Sequence, residues 1–206
     1  MRAIKRLATM PRTVANAMRR LKTLAAGSEG AALVEFAIIM PLLVVMAVGI
    51  IDFGAVYVLK DHLAQAAREG ARIAVSEPRD LKTTTCTFGG RTYNTPCSVA
   101  AAMAAVATDL TDQNVTSCVI NPAGTAAGNF TWNFNSSGSG CGGNPILAIQ
   151  RNVQVASGNE TLLCTRVTLN YPQTWAFASV IKLLVPSANF PSSFWLTASA
   201  VMPNLN

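Results

Sequence analysis

The strongest hydrophobic pattern in the chain is a single long apolar block. Residues Phe36–Ile51 are 16 consecutive residues without a charge, and the block reaches 21 residues when it is extended back to Ala31 across Glu35. Since a helix rises about 1.5 Å per residue, 21 residues cover about 31 Å, close to the bilayer hydrocarbon core of about 30 Å. The pattern therefore predicts one membrane-spanning helix.

Beyond this block the helical spacing continues, but only one face stays apolar. From Leu63 onward, small and apolar residues recur at steps of three and four, while Arg68, Glu69 and Arg72 fall on the other face. These charges are typical of a solvated face with a Glu69–Arg72 ion pair, or of a contact to another subunit. Glu77–Pro78 is expected to end the helix.

The pattern changes after the helix, over residues 77–206. A loop is expected at residues 79–97, then an alanine-rich helix at Ser98–Leu110 with Ser98 as its N-cap. The run Ala176–Val185 has ten residues and carries Lys182, so it indicates core or interfacial structure rather than a second span. Five strand-like runs are Val115–Ile120, Phe130–Phe134, Ile146–Val155, Leu162–Tyr171 and Phe194–Met202. About 130 residues suffice for one small α+β domain with an antiparallel sheet.

Charge separates the first 30 residues from the rest. Residues 1–30 carry seven basic side chains and one acidic one, a net charge of +6, whereas residues 31–206 carry nine of each. Basic residues beside a first span hold that end in the cytoplasm, so the chain after about Lys60 is expected to be exported. The neutral exported part gives no reason to expect a nucleic-acid partner.

All five cysteines lie on the side expected to be exported, where an oxidising compartment permits disulfides. We expect Cys86 to pair with Cys97 across a short loop rich in turn residues. Cys118 is expected to pair with Cys164, because both lie in strand-like runs. Cys141, in a glycine-rich loop, is then free or paired between molecules.

The sequence shows no set of side chains for a metal site or for catalysis. It has no Cys-x-x-Cys pair, and His62 is its one histidine. No Gly-x-Ser-x-Gly elbow occurs, and the acids after residue 76 have no motif spacing. We therefore expect a protein that is not an enzyme and needs no metal or other cofactor.

Glu35 is the one charged residue of the extended apolar block, and placing its carboxylate in a membrane costs free energy. A carboxylate in the middle of a span costs about 2.5 to 3.5 kcal/mol, and less near the interface. Glu35 lies five residues after Gly30, at the edge of the span. It either complements the positive end of the helix dipole or pairs with a cation, which then favours lateral assembly.

Four ordered blocks of the sequence resemble a known family. They are Gly30–Ala37, Pro41–Leu43, Gly49–Gly54 and Gln65–Arg72. In this order and spacing they resemble the amino-terminal region of the TadE-like pseudopilins, minor components of the Tad (Flp, type IVc) pilus machinery. Weaker similarity lies in Val167–Pro172 and Leu196–Met202.

The resemblance implies that a prepilin peptidase cuts between Gly30 and Ala31. Glu35 is then the assembly carboxylate, and Phe36 is the aromatic neighbour typical of Tad proteins. The cut removes all the net positive charge and creates an α-amino group that is protonated near neutral pH. Asp52 stands where the family often has Glu, so it is either a subunit contact or the outer boundary of the span.

Together these features predict a minor pseudopilin with a pilin-like α+β fold that acts in pilus assembly, adhesion and surface attachment. Its expected segments are a basic leader at 1–30, an extended transmembrane helix at 31–76 and an exported domain at 77–206. Expected partners are the prepilin peptidase, other pilin and pseudopilin subunits, the inner-membrane assembly machinery and membrane lipid.

The predicted location is a bacterial inner membrane, crossed once. The amino terminus is cytoplasmic, and the carboxy-terminal domain is periplasmic or extracellular, with incorporation in the pilus as a later state. The alternative is an unprocessed, single-pass, membrane-anchored extracytoplasmic binding module. The amino terminus of the mature chain distinguishes these two hypotheses.

Overall fold

The computed structural model describes residues 28–76, 85–88, 90–138, 141, 145–157, 160–187, 189 and 191–204. The chain separates into two compact units, Met1–Ile50 and Ile51–Asn206. The described part of the first unit is residues 28–50. Residues 1–27 of the basic leader lie outside the described residues, and so does the predicted helix stop at Glu77–Pro78.

The longest element is the helix α1, Ser28–Ser76, with 49 residues and Pro41 inside it. In the first unit, every side chain from Ala31 to Val44 is exposed. A helix that is apolar all round needs a surrounding apolar phase, which a bilayer supplies. Among the described residues, Gly30–Ser76 is the one helix that is long and apolar enough to cross a membrane with part of its length.

The described part of the second unit contains two more helices and an antiparallel sheet, so the predicted α+β class is confirmed. The helices are α2, Cys97–Asp112, and α3, Ala176–Leu184. The strands are β1 Cys86–Phe88, β2 Arg91–Tyr93, β3 Val119–Ile120, β4 Thr125–Ala126, β5 Thr131–Ser137, β6 Pro145–Ser157, β7 Glu160–Thr174 and β8 Ser193–Pro203. The main sheet has the order β3-β5-β6-β7-β8, with β4 also on β5, and β1-β2 is a separate hairpin.

The core of the second unit lies between the sheet and one face of α1. The fully buried side chains of that face are Leu63, Ala66, Ala67, Ala71 and Ala74. These small residues let α2 approach closely: a Cβ added to Gly70 would lie 2.4 Å from Val106 Cγ2. The alanine-rich spacing that predicted a one-sided helix therefore marks the buried face.

The structure corrects two local predictions. The second helix begins at Cys97 with Pro96 rather than Ser98 at the N-cap position, and the carbonyl of Pro96 accepts the N–H groups of Val99 and Ala100. Ser98 is fully buried, and its hydroxyl makes no hydrogen bond within the described part of the chain. The expected loop at residues 79–97 contains the β1–β2 hairpin.

Two disulfides are present among the described residues. Cys86–Cys97 is the pair expected from the sequence. The expected Cys118–Cys164 pair is wrong, because Cys118 bonds to Cys141 and Cys164 is a buried free thiol.

The strand order explains this correction. Cys118 directly precedes β3, whereas Cys164 lies on β7 opposite Val153, three strands away along the sheet. Strands are spaced about 4.8 Å apart, so this separation is about 14 Å, twice the Cα distance that a disulfide tolerates. Cys141, in the β5–β6 connection, comes back beside β3, and its Cα lies 5.8 Å from that of Cys118.

Candidate assembly and membrane-boundary sites

The proposed processing site lies in the first described turn of α1, where Gly30 and Ala31 follow Ser28. Glu35 comes one helical turn later, with its side chain exposed. Among the described residues the one ion pair joins Glu69 and Arg72, so Glu35 has no cationic partner there. Its neighbours Val34 and Phe36 are also exposed, so the carboxylate stands on a bare apolar helix surface.

Asp52, the first charge after the apolar block, bonds within its own chain. Its carboxylate accepts a hydrogen bond of 2.6 Å from the backbone N–H of Phe177. That N–H belongs to the first turn of α3, and Trp175 at the N-cap position makes no side-chain capping bond. Asp52 thus performs the task of an N-cap side chain from another helix, and its negative charge suits the positive end of the α3 dipole.

Aromatic rings strengthen the same junction between α1, α3 and β8. The ring of Phe53 meets Trp175 edge to face, with centroids 5.5 Å apart. Trp175 in turn stacks on Phe194, at 4.4 Å between centroids. Such pairs contribute about 0.5 to 1.5 kcal/mol each beyond their buried area, so the junction is a fixed feature of the second unit.

The charged face of α1 forms the predicted ion pair. Arg72 donates to both oxygens of Glu69, at 2.9 and 2.7 Å, while Arg68 is exposed. The hydrogen bond from Arg72 holds the pKa of Glu69 below its ordinary value. Since the Arg72 side chain is 67% exposed, water screens the pair and its stabilising effect is small.

Glu69 also belongs to a groove between α1 and α2. The groove has a volume of about 570 Å³, and its other acidic side chains are Asp109 and Asp112. Its floor consists of small side chains, among them Ala101 and Ala105. Of the charged residues that the sequence marks as a subunit contact, Glu69 is therefore the one that lines this groove, which combines three acidic side chains with three alanines.

Arg151 is an important residue that the sequence analysis missed. It lies on β6 at the irregularity between Gln150 and Val153, and it is 1% exposed. Its Nη1 donates to the carbonyl oxygen of Ala74, in the last turns of α1. The last turn of α1 has no basic residue of its own, so Arg151 supplies the cation that this carbonyl end favours. The available signal was an arginine in a strand that carries no other charge.

The comparison with known protein families gives a match that lies within the long helix α1. Residues 30–72 match the family model described as TadE-like protein. These residues form a TadE-like domain. The match begins at Gly30, the residue before the expected cut, and it includes Glu35, Asp52 and the Glu69–Arg72 pair. No curated protein matches the chain, and no solved structure matches it.

The TadE-like domain and the apolar helix together indicate a Tad-pilus-related protein with a single-pass membrane anchor. The family resemblance found in the sequence is thereby confirmed over residues 30–72. The domain ends within α1, so α2, α3 and the sheet lie outside it.

Proposed function

We propose that the protein is a minor pseudopilin that is cut after Gly30 and acts in assembly of a Tad-type pilus used in adhesion and surface attachment. The observation that carries the proposal is the TadE-like match, which starts at Gly30 and continues into an exposed apolar helix. The role is structural, not catalytic. Its partners are the prepilin peptidase, other pilin subunits and the assembly machinery of the inner membrane.

The proposed mechanism uses the two ends of the first helical turn after the cut. Cleavage creates a protonated α-amino group at Ala31, about 6 Å along the helix axis from Glu35. A carboxylate at the edge of an apolar helix is costly until a cation neutralises it. A neighbouring subunit, displaced along the helix axis, presents such a cation. Pairing with that subunit then favours lateral assembly.

In the proposed function, the second unit moves together with α1 when α1 is drawn into a growing pilus. One face of α1 between Leu63 and Ala74 is buried against the domain, and Arg151 binds the carbonyl of Ala74. Force applied to this part of α1 is therefore transmitted directly to the sheet. This arrangement suits a subunit that is drawn from the membrane as one piece.

Intact-mass measurement of the membrane-extracted protein tests the cut. In cells with an active prepilin peptidase, we expect a chain that starts at Ala31 and lacks the basic leader. In cells without the peptidase, the mass of the full chain should appear. A chain that keeps Met1 in the presence of the peptidase contradicts the proposal and supports the unprocessed binding module.

A second experiment tests the role of Glu35. In Glu35→Gln, the cut should proceed but piliation should fall strongly, because the carboxylate no longer attracts the α-amino group of a neighbour. Asp61→Asn is the matched control, since Asp61 is an exposed carboxylate of the same helix whose hydrogen bond comes from Gln65. Equal piliation in the two variants would show that Glu35 has no assembly role.

A further inference from the structure

The connection between β7 and β8 is unusually long and apolar. It covers residues 175–192 and contains α3, whereas hairpin connections usually have about 2 to 5 residues. Lys182 is its one charged residue, and it contains no acid. The two ends meet, because the N–H of Trp175 donates to the carbonyl of Ser192 at 3.0 Å. The connection therefore leaves the sheet and returns to it at the same point.

Two contacts place this connection along α1. A Cβ added to Gly70 would lie 3.6 Å from Cγ1 of Val167 on β7, and Phe53 meets Trp175 at the end of β7. From Gly70 to Phe53 the helix covers about 26 Å, and from Val167 to Trp175 the strand also covers about 26 Å. β7 therefore runs alongside α1 and delivers the connection to the level of residue 53.

That level is the end of the apolar block. Ile51 is its last residue, and Asp52, the next one, caps α3 directly. If α1 crosses the bilayer through the block, the first turn of α3 lies where the helix enters the headgroup layer. The accessible side chains of the first turns of α3 are then next to lipid headgroups rather than next to bulk water.

The side chains at this level suit a headgroup layer. Tyr57 is 73% exposed, Phe53 59% and Trp195 46%. Tryptophan and tyrosine concentrate at membrane interfaces, where the ring meets acyl chains and its polar atom meets water. On α3, Lys182 is exposed and its neighbours Val180 and Ile181 are half-buried, so a cation points outward beside apolar side chains that remain partly accessible.

We propose that residues 175–182 of the connection, together with Phe53 and Tyr57, form a lipid-binding surface that rests in the outer headgroup layer of the membrane crossed by α1. The proposal rests on the membrane anchoring in the proposed function. Anionic headgroups fit best, because the connection carries one positive charge and no negative one. The nearby carboxylate of Asp52 is occupied at the N-terminus of α3. A subunit bound in this way is oriented against the bilayer before it assembles.

Three tryptophans at different levels provide the test. The full chain is reconstituted in liposomes of phosphatidylethanolamine and phosphatidylglycerol whose acyl chains are brominated near the headgroup. One variant keeps only Trp175, and the other keeps only Trp132, which is buried and lies in register with Val167. We expect the emission of Trp175 to fall about two-fold and that of Trp132 to remain constant. The unsubstituted chain, which has all three tryptophans, should lose an intermediate share of its emission. This measurement keeps the test valid if a variant does not fold.

Charge reversal tests the choice of anionic lipid. Lys182→Glu should reduce the quenching of Trp175 in membranes with phosphatidylglycerol, but not in membranes of phosphatidylcholine alone. Arg166→Glu is the matched control, because this exposed residue of β7 lies about 30 Å from Trp175 along the strand, beyond the range of screened charges. An equal response of both variants would overturn the assignment to anionic headgroups.

Flotation of the liposomes separates failure of the anchor from failure of the surface. A chain that does not float with the vesicles contradicts membrane anchoring, and the surface proposal falls with it. A chain that floats while Trp175 is not quenched overturns the lipid-binding surface and leaves the anchor intact. Trp175 that is shielded from bromine only at high protein density would show that a second copy covers the surface, which also overturns the proposal.

Discussion

The helix α1 has two regions built from the same kind of backbone for different surroundings. In Ala31–Val44 every side chain is exposed, and large residues such as Ile38, 72% exposed, point outward on all sides. In Leu63–Ala74 one face is fully buried and consists mostly of alanine. Lipid tails adapt to any surface, so the first region needs only apolar bulk. The second must match fixed neighbours, which favours small residues that let another helix approach.

The largest expected difference between the regions concerns leucine. Leu63→Ala removes a side chain with no exposed surface and should destabilise the second unit by about 2 to 5 kcal/mol, because a cavity remains. Leu42→Ala, at a position 62% exposed, should leave unfolding of the second unit unchanged. Chemical denaturation in detergent or lipid, followed by tryptophan emission, measures both. Equal losses would refute the contrast.

Two glycines of α1 in the second unit compare a packed position, Gly70, with an open one, Gly54. Gly70→Ala places a Cβ against Val106 and Val167 and should cost about 1 to 3 kcal/mol through overpacking. Gly54→Ala meets no atom within 4 Å and should stabilise the helix by about 0.5 to 1 kcal/mol. Opposite shifts of the denaturation midpoint are expected. A stabilising Gly70→Ala would mean that α2 does not pack this closely.

A substitution at Asp52, which lies between the two regions of α1, should have a smaller effect on stability. Asp52→Ala removes the carboxylate that caps α3 and should cost about 1 kcal/mol. Asp61→Ala, which loses a bond to Gln65 alone, is the control and should change the midpoint less. Amide hydrogen exchange at Phe177 should accelerate in the first variant. Unchanged protection there would show that the cap contributes nothing.

The smallest effect is expected on the solvated face. The pKa of Glu69 is lowered in the folded chain from its ordinary value of 4.5, so the pair with Arg72 contributes stability above that value. The contribution is lost as the pH falls through the lowered pKa. The stability difference between the unsubstituted chain and Glu69→Gln should therefore be small at pH 7 and vanish once the pH has fallen below the lowered pKa. A stability difference that persists in acid would show that Glu69 acts through its contacts in the groove rather than through the ion pair with Arg72.

Most helices and strands were predictable because their signals are local. The helix expected at residues 31–76 is observed as Ser28–Ser76, and the run Leu162–Tyr171 lies inside β7, Glu160–Thr174. The Glu69–Arg72 pair was also predictable, because residues three apart on a helix must be neighbours. The short strands β1, β2 and β4 were missed, since two or three residues carry no periodicity.

The contacts that define the sites were much less predictable. Asp52 and Phe177 are 125 positions apart, and Arg151 and Ala74 are 77 apart. The Cys118–Cys141 bond depended on the strand order, which places Cys164 on the wrong strand. Helix α3 illustrates the limit: its ten-residue apolar run was recognised, but its position at the end of the apolar block was not.

The sequence by itself determined the apolar block, the charge asymmetry, the TadE-like blocks and the succession of helices and strands. Each of these depends on side chains that are close along the chain, where the backbone geometry is known in advance. Tertiary structure alone decided which cysteines bond, which arginine holds the end of α1 and that Asp52 caps α3. Those choices depend on the strand order and on contacts between residues far apart along the chain, such as Gly70 with Val106 and Val167, which no local pattern contains.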